Sequence, residues 1–116
     1  MRTLRRAALV VLVLTAGCLH RSLAPEFEGR RVTFYCPGNG GAPSLVGDFN
    51  GWRAGRRMKR ADGRFAQTLA LPPGDYAYAC RTSDGRIVTP PDAPAYIDDG
   101  FGGRNGWLHV DGPKRD

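Results

Sequence analysis

The chain has 116 residues, room for one domain, which excludes a Rossmann domain, a TIM barrel, a kinase and a multi-pass membrane protein. Hydrophobic residues make up 41% and charged residues 24%, an ordinary globular balance, while 16 Gly and 9 Pro favour many short strands over a few long helices. The formal charge is +6; residues 1–17 carry three of the 17 basic side chains and no acid, so the remainder is only +3 and nucleic acid is not an expected partner.

Residues 1–17 read as an export signal. Arg2, Arg5 and Arg6 precede an unbroken apolar run of eight, Ala7 to Leu14. That run is too short for a membrane-spanning helix, which takes about 20 apolar residues, and fits a secretory segment. The sequence Leu14-Thr15-Ala16-Gly17-Cys18 resembles the lipobox of bacterial lipoproteins. The resemblance implies cleavage before Cys18, diacylglyceryl transfer to its thiol, and a membrane partner reached through the lipid anchor. Leu19, rather than Asp, after the cysteine implies the outer membrane. Residues 18–30 are expected to be the lipidated cysteine and a tether, 31–111 a domain, and 112–116 a tail.

From residue 31 the pattern is β. Val32, Phe34 and Cys36 fall on one face of a strand over Arg31 to Cys36. Ser44 to Phe49 is a second short strand. Arg64 to Leu71 is a third, after which Pro72-Pro73-Gly74-Asp75 turns the chain. Tyr76 to Thr82 places Tyr76, Tyr78 and Cys80 on one face. Ser83 to Arg86 is a hairpin turn of the Asp-Gly type, followed by a short strand over Arg86 to Thr89. Residues 90–104 read as a long loop, and Gly106 to Val110 closes the domain as a strand. Turns every 8 to 12 residues and no helical period predict an all-β sandwich of about seven short antiparallel strands.

With Cys18 lipidated, Cys36 and Cys80 remain as a pair in an oxidising compartment, each on the apolar face of its strand. A Cys36–Cys80 disulfide is expected; two buried free thiols are the alternative. Neither cysteine has a CxxC or histidine neighbour, so no metal site is expected.

The stretch Val46-Gly47-Asp48-Phe49-Asn50-Gly51-Trp52 resembles the G-x-F-N-x-W signature of the glycogen-binding domains of AMP-activated protein kinase β subunits. Family-48 carbohydrate-binding modules and the early-set domains of isoamylases share that signature. Asp62-Gly63-Arg64-Phe65, the run Leu69 to Tyr78, Asp84-Gly85 and Asn105 to Val110 follow in the family's order. The resemblance covers about residues 31–110 and implies an immunoglobulin-like early-set β-sandwich. It also implies an α-glucan site built from two tryptophans, a lysine and an asparagine. Trp52 matches the first tryptophan and Asn105 the asparagine. The lysine position is Ala79 and the second tryptophan position is Ile87, with Arg86 as its neighbour in a shifted alignment. Trp107, Tyr96 and Phe101 are candidate replacement rings. If Leu108 and Val110 point inward, Trp107 and His109 point outward.

A basic run, Arg53, Arg56, Arg57, Lys59, Arg60 and Arg64, places six cations within 12 residues. It is read either as a solvated edge or as a patch for anionic lipid, lipopolysaccharide phosphate or an acidic polymer. Catalysis finds no support: the only histidines are His20 and His109, and no triad or metal spacing is evident. Asp98 and Asp99 read as turn chemistry. No cofactor is expected. Two functional readings follow: a non-catalytic glycan-binding module on a membrane-anchored lipoprotein, or a protein-interaction module that kept the fold and lost the sugar site.

Overall fold

The computed structural model describes residues 21–38 and 40–113; the expected signal peptide, the lipidation site Cys18 and most of the tail at 112–116 lie outside them. The described chain forms nine strands: β1 (Glu26–Glu28), β2 (Arg31–Cys36), β3 (Ser44–Gly47), β4 (Lys59–Ala61), β5 (Arg64–Ala70), β6 (Gly74–Arg81), β7 (Ile87–Val88), β8 (Ala95–Asp98) and β9 (Arg104–Val110). One 3-10 turn, Asp48–Asn50, follows β3. The strands make two antiparallel sheets, β1-β2-β5-β4 and β3-β6-β9-β8. β7 takes up the edge of β6 at Cys80 and Arg81, beyond Tyr78 where the pairing with β9 stops.

Period-two alternation produces the core. Val32, Phe34 and Cys36 of β2 face Tyr78 and Cys80 of β6 and Leu108 and Val110 of β9, all essentially without exposure. Each such apolar side chain contributes about 1.5–3 kcal/mol on burial. Phe34 packs edge-on to Tyr78 at 4.9 Å between centroids and tilted against Phe49 at 5.3 Å. The Cys36–Cys80 disulfide crosses this core and ties one sheet to the other, as the shared apolar face of the two cysteines predicts.

Three strands lie where the sequence shows none. β1 occupies residues placed in the tether, β4 falls in the basic run, and β8 lies inside the expected loop at 90–104. All three sit at sheet edges, and β1 and β4 are exposed along their whole length. An edge strand that buries neither face carries no alternation to read. The expected strand at 44–49 ends at Gly47 instead, because the Asn50 side chain folds the chain into a turn there.

Candidate functional site

The turn after β3 is built by its own side chains. Asn50 Oδ1 accepts from the N–H of Gly47 at 3.0 Å and of Trp52 at 3.2 Å, and its Nδ2 donates to the Leu45 carbonyl at 3.0 Å. Asn50 is therefore committed to the backbone. Phe49 drops onto Phe34 and Tyr76. Gly47 is extended, but a β-carbon there would come within 2.6 Å of the Ala77 carbonyl and 2.7 Å of the Phe49 ring, so only glycine fits.

This turn delivers Trp52 to the surface. Trp52 has φ 62, a left-handed conformation costly for a bulky L residue, and its N–H closes onto the Gly47 carbonyl at 3.0 Å. Its indole Nε1 donates to Asp48 Oδ1 at 2.9 Å, while Asp48 Oδ2 accepts from the Ala77 N–H on β6 at 2.8 Å. One carboxylate thus fixes the indole against the neighbouring strand, leaving Trp52 37% exposed.

A cavity of about 600 Å³ opens beside the indole, lined by Trp52, Ala77, Ile87, Ile97, Phe101 and Asn105 together with aspartates. Asn105 reaches it from β9, where Gly106 and Leu108 point inward, and it lies directly opposite Ile97 of β8. Phe101 stands 95% exposed at the tip of the β8–β9 turn. Asp99 holds that turn: its Oδ1 accepts from Phe101 N–H at 2.7 Å and Gly103 N–H at 2.9 Å. Asp98 accepts from Gly100 N–H at 3.0 Å. Both carboxylates act as turn anchors.

The sequence-predicted residues divide. Trp52 and Asn105, from opposite ends of the domain, line one cavity. Trp107 lies on the outer face of β9 between Ala77 and Ala95, as expected, but does not line that cavity. Tyr96 is occupied elsewhere: its hydroxyl donates to the Pro90 carbonyl at 2.9 Å and Arg104 covers its ring at 4.7 Å. Of the three candidate replacement rings, only Phe101 joins Trp52. Ile87 lines the cavity and is 56% exposed, whereas Ala79, the position to which the resemblance assigns a lysine, has no exposed surface. Arg86 pairs with Asp84 at 3.3 Å. Ile97 escapes the sequence analysis because residues 90–104 read as loop; its signal is a large aliphatic left exposed in a polar segment. Arg53, Arg56, Arg57, Lys59 and Arg60 are exposed, and Arg60 lies over the Phe65 ring at 4.7 Å. Among the described residues no three His, Cys, Asp or Glu side chains cluster as metal ligands.

The sequence family described as the glycogen recognition site of AMP-activated protein kinase matches residues 31–116. The chain belongs to this family. It is a family of non-catalytic carbohydrate-binding modules, and its match spans every strand but β1 and the cavity bearing Trp52 and Asn105. No curated protein matches the chain. The cavity holds Trp52 and Asn105, the two positions to which the resemblance assigns the family's first tryptophan and asparagine. Ile87 and Phe101 line the cavity beside them.

Proposed function

We propose that the protein is a non-catalytic α-glucan-binding module, displayed on the bacterial cell envelope by a lipid on Cys18. The observation that carries the reading is the shared cavity: Trp52 and Asn105, 53 positions apart, meet beside exposed Phe101 and Ile97. The pinned indole offers a flat face to the C–H groups of a pyranose ring at little entropic cost. Phe101 covers a second ring, and the Asn105 amide exchanges hydrogen bonds with hydroxyls, each of which would cost about 1–3 kcal/mol if buried unpaired. The aspartates of the cavity are engaged with indole and backbone donors, which supports binding rather than acid–base chemistry.

Titration calorimetry with maltoheptaose and glycogen, with cellohexaose as control, tests this. Binding of the α-glucans that is abolished by Trp52→Ala is expected. Absence of binding to any glycan favours the second reading, a protein-interaction module, for which the replaced lysine and second tryptophan at Ala79 and Ile87 speak. Export and anchoring are tested separately: fatty-acid labelling is expected for the wild type and lost in Cys18→Ser.

A further inference from the structure

A second groove, which shares no lining residue with the Trp52 cavity, lies on the open side of the sheet β1-β2-β5-β4. β4 pairs with β5 only from Arg64 to Ala66. Before Lys59 the chain has already left that edge. Met58 N–H donates to the Pro43 carbonyl at 2.8 Å, and Arg57 bridges to Ser44 beside β3, in the other sheet. β5 continues to Ala70, so its segment from Gln67 to Ala70 has β2 on one side and no strand on the other among the described residues. In an antiparallel strand alternate residues direct both N–H and C=O to the same side, so this edge presents free backbone donors and acceptors.

The space left is a groove of about 680 Å³ along that edge. Its walls include Arg56, Arg57 and Lys59, and among the described residues no carboxylate lines it. Among the described residues none of the three cations forms an ion pair. The Gln67 side-chain oxygen, also in the wall, is shielded from solvent without a hydrogen-bond partner. Phe49, Leu69 and Leu71 add an apolar floor.

We infer that this edge accepts an extended acidic segment of a partner polypeptide as an added strand. The unpaired β5 backbone supplies the ladder, and the four residues from Gln67 to Ala70 match about 13 Å of extended chain. The cations select the occupant: acidic side chains complement them, whereas a basic chain is repelled. A second copy of this edge is opposed by the same three charges. The concave shape favours a chain laid along the strand over a flat anionic surface.

The probe is a capped hexapeptide of alternating Glu and Thr, titrated into the full-length chain and followed by backbone amide NMR shifts. Saturable shifts at Gln67–Ala70, with a dissociation constant below about 1 mM, are expected. The double variant Arg56→Glu, Lys59→Glu should weaken binding by about tenfold or more. Both side chains are exposed, so the fold should survive. N-methylation of alternate peptide nitrogens should abolish binding, because it removes the ladder donors without changing charge. Trp52→Ala should leave peptide binding intact, which separates this site from glycan recognition. The inference is overturned if the hexapeptide does not bind, if its shifts fall elsewhere, or if polyphosphate or the N-methylated peptide binds as well.

Discussion

The indole nitrogen of Trp52 and the carboxylate of Asp48 meet at 2.9 Å, and the second oxygen of that carboxylate is held by the Ala77 N–H. The aspartate within the glycine-to-tryptophan signature therefore holds the tryptophan while itself lining the cavity. It fixes the angle at which the ring is presented.

Asp48→Ala should leave Trp52 in the chain but unpinned. Glycan affinity is expected to fall by about five- to tenfold and stability by about 1–3 kcal/mol, since a backbone donor on β6 loses its charged acceptor. Calorimetry and denaturant unfolding read the two losses separately. Trp52→Gly and Trp52→Ala should both lose binding. The glycine variant should melt no lower than the alanine variant, because glycine relieves the left-handed φ of 62.

Ile87 lines the Trp52 cavity, at the position to which the resemblance assigns a second tryptophan, whereas Arg86, the alternative position, does not line it. Ile87→Trp should restore a second stacking indole and raise α-glucan affinity by about three- to tenfold. The residue is 56% exposed, so the change in stability should stay within about 0.5 kcal/mol. An unchanged affinity measured by calorimetry would show that Ile87 does not face the bound sugar.

The Cys36–Cys80 bridge closes a loop with a sequence separation of 44 and joins the two sheets. Constraint of the unfolded chain by such a loop is worth about 4 kcal/mol. Paired replacement by alanine or valine should lower the denaturant midpoint accordingly, with little change in glycan affinity, because neither cysteine lines the cavity.

His109 Nδ1 and Asp75 Oδ1 lie 2.6 Å apart across β9 and β6. That hydrogen bond, aided by the charges of Asp75 and Asp111, raises the imidazole pKa above its ordinary value of about 6.5, against a smaller desolvation effect. A folded-state pKa raised above the unfolded one stabilises fully below pH about 6.5, and the contribution is lost as pH rises through the folded value. The gap in melting temperature between wild type and Asp75→Asn should therefore be larger at pH 5.5 than at pH 8.5. An equal gap at both pH values would refute the linkage.

The alternation of Val32, Phe34 and Cys36 and of Tyr78 and Cys80 was enough to predict two facing sheets and the bridge between them, because burying one side of a strand forces a period of two. The edge strands β1, β4 and β8 bury too little to force any pattern, so only the assembled sheets define them. The same division runs through the site. The family resemblance singles out Trp52 and Asn105, because the motifs that carry it, a signature turn and a strand start, are local features. Only the tertiary structure decided which ring joins Trp52, choosing Phe101 over Trp107 and Tyr96. That choice depends on the return of the β8–β9 turn to the cavity beside the β3 turn, a juxtaposition of segments about 50 residues apart that no local pattern encodes.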